Sequence, residues 1–250
     1  MLGFLVPERE LLVFIPTYNE RENVEPLLRE ILALGLEADV LFMDDGSPDG
    51  TGALLDSLAA RHPGVLVAHR GAKLGIGSAH QDGVAWAYDH GYRRLLTMDC
   101  DFTHSPACIP ELLALGEEAD VVVGSRHALR ESLAGWDPFR KLLTKSAYFA
   151  TRNLLGIRCD ATGAFRHYRL DRIPREAFGL VAARDYAFFF ESLYVLQANG
   201  FSIREIPIIL PARTRGHSKM SYRLMLKSVA RLLSLAVASR LAPGRFLLRR

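Results

Sequence analysis

An α/β architecture, a mostly parallel sheet with helices on both faces, follows from the spacing of apolar residues along this 250-residue chain. Short apolar runs recur, each continuous rather than alternating, which is the pattern of strands buried on both faces. Segments with helical spacing lie between them. Each run stops at a polar or turn residue, and in such sheets ligands bind beyond the carboxyl ends of the strands.

The elements follow in order. Leu11–Ile15 is a strand that stops at Pro16, and Val24, Leu27, Leu28, Ile31 and Leu32 mark the next helix. Val40–Met43 stops at Asp44, and Val65–Ala68 leads to a glycine-bearing turn and a helix over Ser78–His90. Leu95–Met98 stops at Asp99, and Val121–Val123 stops at Gly124. The second half is less regular. Pro138–Leu155 and Asp185–Ala198 read as helices, and Ala164–Tyr168 and Ile203–Ile209 as strands. A last helix over Tyr222–Ala238 is closed by Pro243-Gly244. The expected division is an α/β domain over residues 1–220 and a basic, amphipathic, membrane-associating tail over 221–250.

Apolar residues make up 49% of the chain, enough for a sizeable core, and the 24% that are charged fit an ordinary globular protein. Cys100, Cys108 and Cys159 are an odd set without a CxxC pair, which argues against a disulfide framework and for a reducing compartment. The start lacks the basic and long apolar regions of a signal peptide. No stretch reaches the roughly 18–20 apolar residues of a membrane span. The net charge of +3 hides an asymmetry. No acidic residue follows Glu205, and ten Lys or Arg residues lie from Arg213 onward, which leaves the first 212 residues at −7. On the last helix Arg223, Lys227, Arg231 and Ser234 form one stripe opposite a wide apolar face. That pattern describes a helix lying on an anionic membrane, or a packing helix with a solvated stripe. Nucleic acid is the weaker partner, since the tail has no interleaved aromatics. The expected location is cytoplasmic, peripheral on the cytoplasmic face of a membrane.

The sharpest motif is Asp99-Cys100-Asp101. Residues two apart on an extended chain point to one side, and two carboxylates so placed repel unless a cation sits between them. Hard oxygen ligands suit Mg²⁺ or Mn²⁺, which can grip a diphosphate. The plain alternative is that Asp101 caps a turn and Asp99 is solvated. Asp44-Asp45 ends another buried strand, where a carboxylate can accept from the N–H groups of a base; the following Ser47–Thr51 is turn and N-cap material. In Arg70-Gly-Ala-Lys-Leu-Gly-Ile-Gly77 the glycines would let backbone approach phosphate and Arg70 or Lys73 pair with it, or the segment is simply a turn into a helix. It is neither a P-loop nor a dinucleotide fingerprint, which excludes a Rossmann oxidoreductase. Arg126, Arg140 with Thr144 one turn later, and Arg213 with Lys219 would together gather phosphates. Glu191, set among Phe188–Phe190, is either functional or the polar side of a helix.

These pieces, in order, resemble a family 2 glycosyltransferase of the polyprenol (dolichol) monophosphate mannose synthase type. They are Ile15-Pro-Thr-Tyr-Asn-Glu20, Asp44-Asp-Gly-Ser-Pro-Asp-Gly-Thr51, Lys73–Gly77, Met98-Asp-Cys-Asp101 with His104 and Pro106, Gly124-Ser-Arg126, Trp136 with Arg140, Thr162-Gly-Ala-Phe-Arg166, and Arg213-Thr-Arg-Gly-His-Ser-Lys219. The resemblance covers roughly residues 11 to 220 and implies a GT-A fold. It also implies that Pro16, Tyr18, Glu20 and Asp45 hold the nucleoside of a nucleotide-sugar, GDP-mannose in the family. Asp99, Cys100 and Asp101 hold its diphosphate and the Mg²⁺ or Mn²⁺ ion. Arg126, Arg213 and Lys219 reach donor phosphates, and Arg126, Arg140 and Thr144 place the phosphate of a polyprenyl lipid. Two positions depart from the family: Cys100 stands where Ala is usual, and Thr103 where a metal-binding Gln is usual. The expected metal ligands are therefore Asp101 and Thr103, and the expected catalytic set is Asp99, Asp101 and Arg126.

The chemistry implied is inverting displacement at the sugar's anomeric carbon. A phosphate nucleophile has its second pKa near ~6 and needs no general base. The rivals are an enzyme of the same fold using a UDP-sugar or a non-lipid acceptor, and a non-catalytic nucleotide-binding membrane protein.

Overall fold

A computed structural model describes residues 9–133, 135–210 and 222–249. Seven strands form one sheet: β1 (Leu11–Thr17), β2 (Ala38–Asp44), β3 (Val65–His69), β4 (Arg94–Thr97), β5 (Val121–Ser125), β6 (Arg166–Arg169) and β7 (Ile203–Pro207). Their order is β3-β2-β1-β4-β6-β5-β7. All neighbours are parallel except β6, which runs antiparallel to both β4 and β5. This is the mostly parallel α/β sheet read from the sequence.

The continuous apolar runs are continuous because both faces of the sheet are covered. Along β1, Leu12 and Phe14 enter one core cluster while Val13 and Ile15 enter the other, and all four are wholly buried. Helices α1 (Arg21–Ala33), α2 (Thr51–Arg61) and α4 (Ile109–Leu115) cover one face with Val24, Leu27, Leu55 and Leu112. Helices α3 (Ile76–Asp89), α6 (Arg175–Gly179) and α7 (Ala187–Ala198) cover the other with Ala79, Val84, Phe178, Phe188 and Leu193.

Helix α5 (Pro138–Leu155) has the span read from the sequence, with Asp137 accepting from the Arg140 N–H as its N-cap and Gly156 at φ 70° as its C-terminal stop. It packs against α8 (Tyr222–Leu241). Leu232, Leu235 and Ala236 of α8 join the core cluster that holds α7. Arg231, expected on an outward basic stripe, is instead taken up by Glu191 of α7 in a forked pair at 3.1–3.2 Å. That pair settles the reading of Glu191. Its carboxylate, 2% exposed, also accepts from the Ala182 N–H at 3.1 Å and anchors the last helix to the body. Among the described residues no helix is long and apolar enough to cross a membrane.

Candidate functional site

The carboxyl ends of β1, β2, β4 and β5 open on one cavity of about 850 Å³. Pro16, Tyr18, Glu20, Asp45, Asp99, Cys100, Asp101, Thr103 and Arg126 all line it, as do Arg140 and Thr144. Every described residue expected at the site is therefore brought to one place. Arg213 and Lys219 lie outside the described residues.

The floor of the nucleoside end is built by two loops tied together. Asp44 accepts from the Ser47 N–H and hydroxyl, and Asp49 accepts from those of Thr51. The Ser47 and Thr51 hydroxyl oxygens in turn accept from the Asn19 and Glu20 N–H groups at 2.8 and 3.0 Å. Ser47–Thr51 thus carries the structural role read for it, and Asn19 adopts a left-handed φ of 56° to make the turn.

Of the two readings of the segment after β3, the plain turn into a helix fits Arg70 and Gly77. The Arg70 side chain is buried and faces Asp45 at 2.8 Å, Asp82 at 3.3 Å and the Ser78 hydroxyl at 2.6 Å, so its charge is already matched. Burial raises the Asp45 carboxyl above its ordinary range, against the pull of Arg70 and the Leu74 and Gly75 amides. Gly77 serves close packing rather than phosphate. A methyl group there would meet the Asp185 carbonyl oxygen at 2.2 Å. Lys73 does reach the cavity, with its ammonium 4.1 Å from the centre of the Tyr18 ring.

After β4 the chain turns tightly. Phe102 sits at φ 60°, which folds Thr103 back so that its N–H and hydroxyl both donate to Asp101 Oδ1, at 3.1 and 2.6 Å. The Asp99 N–H donates to Nδ1 of buried His104 at 3.0 Å, and the imidazole is stacked on Phe165. The two carboxylates are unequal: the Asp99 side chain is 31% exposed, whereas residue Asp101 is 8% exposed. Among the described residues no three His, Cys, Asp or Glu side chains converge as a ready metal cage. The oxygen donors of Asp99, Asp101 and Thr103 on one cavity wall nonetheless fit a divalent ion such as Mg²⁺. Such ions take one or two carboxylates from the protein and complete their shell with substrate phosphate and water.

Arg126, at the end of β5, is aimed by a residue the sequence reading missed. Asp160, wholly buried, accepts from Arg126 Nε at 2.7 Å, Nη2 at 3.2 Å and the backbone N–H at 3.2 Å. The Thr162 hydroxyl accepts from Nη2 at 2.9 Å. Burial alone would raise the Asp160 carboxyl, but Arg126, with His127 beside it, holds it well below the usual carboxylate range.

Beyond Arg126 the cavity changes character. Arg140 lies over the Trp136 ring at 4.5 Å, and the indole N–H donates to the Leu210 carbonyl at 2.9 Å. From there Leu143, Ala147 and Leu154 of α5 face Met225, Val229 and Leu232 of α8 across an apolar continuation of the same space. A charged chamber at the strand ends therefore opens without a break into an apolar channel between two helices.

Known proteins bear on this arrangement. Residues 12–173 match the family described as Glycosyl transferase family 2. The chain is 38% identical over 218 residues to the polyprenol monophosphomannose synthase of Mycolicibacterium smegmatis, covering 86% of this chain and 82% of that one. It is 35% identical over 231 residues to the undecaprenyl-phosphate mannosyltransferase of Micrococcus luteus, covering 92% and 95%. Among solved structures, it is similar to the mannosyltransferase PcManGT of Pyrobaculum calidifontis in complex with GDP-Man and Mn²⁺, with a TM-score of 0.54 and 17% identity. It is also similar to S. aureus TarS in complex with UDP-GlcNAc, with a TM-score of 0.55 and 15% identity. The chain spans 64% and 66% of the length of those two, and they share its GT-A fold.

Proposed function

The chain belongs to glycosyl transferase family 2, and from that premise we propose that it moves mannose, with inversion, from GDP-mannose to a polyprenyl monophosphate. The observation that carries the proposal is the single cavity that joins charged strand ends to an apolar channel between α5 and α8. The curated relatives named above are a polyprenol monophosphomannose synthase and an undecaprenyl-phosphate mannosyltransferase, which supports the same acceptor class here.

In this reading Pro16, Tyr18, Glu20 and Asp45 frame the nucleoside. Asp99 and Asp101 would hold a divalent ion, Mg²⁺ or Mn²⁺, which when bound would neutralise charge on the leaving diphosphate. Thr103 fixes Asp101 by its two hydrogen bonds, and its hydroxyl oxygen would still have lone pairs to offer the ion. Arg126, held by Asp160, and Arg140 with Thr144 align the acceptor phosphate opposite the leaving group. Arg213 and Lys219 complete the cations around the donor. The ionised phosphate attacks directly, so the residues orient and neutralise rather than remove a proton.

Peripheral attachment to a membrane, on its cytoplasmic face, belongs to the same proposal. Phe139, Leu142 and Phe149 of α5 and Leu226, Val229, Leu233, Val237 and Leu241 of α8 are exposed, and basic Lys227 and Arg240 sit among the latter.

The test is transfer of labelled mannose from GDP-mannose to a polyprenyl phosphate, with and without chelator, for the wild type and Asp101→Ala. Chelation should stop transfer, and Asp101→Ala should lower turnover on the order of 100-fold or more with an unchanged circular dichroism spectrum. Near wild-type transfer by the folded variant would sink the proposal. A wild type that accepts a UDP-sugar but not GDP-mannose would refute the donor.

A further inference from the structure

Arg166 is the largest wholly buried side chain among the described residues, and none of them forms an ion pair with it. Its guanidinium donates to the Tyr168 hydroxyl at 3.3 Å, the Ser192 hydroxyl at 3.1 Å and the Ala161 carbonyl at 3.1 Å. All three acceptors are neutral. Nε has no partner. Among the described residues no carboxylate lies within ion-pair distance of it. The neighbouring histidine does not help. Burial first, then the Arg166 charge, pushes His80 down to about 3, so it is neutral at physiological pH.

A buried guanidinium keeps its charge, and removing one from water costs several kcal/mol unless an opposite charge answers it. Hydrophobic residues of similar volume commonly fill such a position without loss of stability. The question is what answers this charge. Arg166 lies next to the cavity. The centre of its guanidinium is 5.3 Å from the Phe189 ring, and Phe189 lines the cavity. The carbonyl it binds belongs to Ala161, and the next three residues, Thr162, Gly163 and Ala164, also line it. One ring separates the cation from the cavity at Phe189, and one stretch of backbone separates it from Thr162, which accepts from Arg126 in the chamber. Neither layer screens as water does, so the field of Arg166 reaches the chamber at low dielectric.

We infer that Arg166 is a buried counter-charge for the phosphates of a nucleoside diphosphate in this cavity, acting through space and without touching it. This inference rests on the nucleotide-sugar reading above. It assigns the arginine a purpose that hydrogen bonding alone does not require, because a neutral Gln can make bonds to the same acceptors.

The test compares wild type, Arg166→Lys, Arg166→Gln and Ser192→Asp in calorimetric titrations with GDP, UDP and guanosine, each with Mn²⁺. Ser192→Asp neutralises Arg166 in place, since the Ser192 hydroxyl oxygen is 3.1 Å from Nη1. Affinity for the diphosphate should fall about ten-fold in Arg166→Gln and in Ser192→Asp, while Arg166→Lys stays within about three-fold of wild type. Guanosine, which carries no phosphate, should bind all four proteins alike. The inference is overturned if either neutralising variant keeps wild-type diphosphate affinity. It is equally overturned if Lys fails as badly as Gln, or if guanosine binding falls in step, since each outcome marks a structural role. Should Arg166→Gln not fold, Ser192→Asp decides alone; failure of both to fold also marks a structural role. A wild type that binds neither diphosphate would instead refute the nucleotide-sugar reading itself.

Discussion

Cutting the Glu191–Arg231 pair from its two sides should have unequal effects. The Glu191 side chain is 2% exposed and the Arg231 side chain 39%. Arg231→Ala leaves a carboxylate in the core with only the Ala182 N–H to answer it. Stranding one partner of a buried pair costs about 3–5 kcal/mol, and the remaining hydrogen bond puts this case near 3. Glu191→Gln keeps the volume and the acceptor for Ala182. It strands only an arginine that already reaches water, at a cost of about 1 kcal/mol. Hydrogen exchange of the α8 amides, read by mass spectrometry, measures the opening of this helix whether it detaches alone or with the whole fold. Exchange should accelerate about 100-fold in Arg231→Ala and about five-fold in Glu191→Gln. Equal acceleration, or a larger effect from Glu191→Gln, would refute the reasoning that burial sets the cost. Because α8 walls the apolar half of the cavity, Arg231→Ala should also raise KM for the lipid acceptor while leaving GDP affinity unchanged.

Further outcomes follow from the same physics. Asp160→Asn should lower thermal stability at pH 7 by about 3 kcal/mol, because Arg126 loses its carboxylate. The Asp160 carboxyl is depressed from its ordinary 3.8, so its contribution is present above that value and is lost as pH falls below it; melts of wild type and variant should therefore converge in strong acid. His80 and His167 are each pushed down by burial from 6.5 to about 3. The unfolded chain takes up protons below pH 6.5 while the folded one does not until about pH 3, so denaturation midpoints should fall through that window, and less steeply in His80→Leu. Gly77→Ala places a methyl 2.2 Å from the Asp185 carbonyl and should cost about 1–3 kcal/mol, or roughly 2–12 °C in a thermal melt.

Most of the sheet was legible in the sequence because burial on both faces writes long apolar runs, and the strand-end rule led directly to Pro16, Asp45, Asp99 and Arg126. The same rule explains what was missed. It looks past the carboxyl end of each strand, but β6 runs antiparallel, so its amino end lies at the site. Asp160, wholly buried, precedes β6 and holds Arg126 from the side the rule ignores, next to Thr162, which lines the cavity. The one sequence signal was an Asp two residues before a Thr-Gly turn. Arg70 was left open between phosphate ligand and turn residue for a different reason. A cation after a strand reads as a phosphate ligand unless its partner is known, and Asp45, 25 residues away, is invisible to local pattern. Arg231 illustrates the same limit, since helical spacing places it on a stripe but cannot show that Glu191 waits across the interface.

The unbroken passage from charged chamber to apolar channel also has a bearing on inhibition. Two ligands that occupy adjoining parts of one 850 Å³ space can be tethered by a very short linker. The second contact then forms at an effective concentration set by the tether rather than by the solution, typically in the millimolar range for short linkers. A nucleoside diphosphate carrying an alkyl tail would use both halves at once, and its affinity should exceed that of either fragment by far more than the sum of the two.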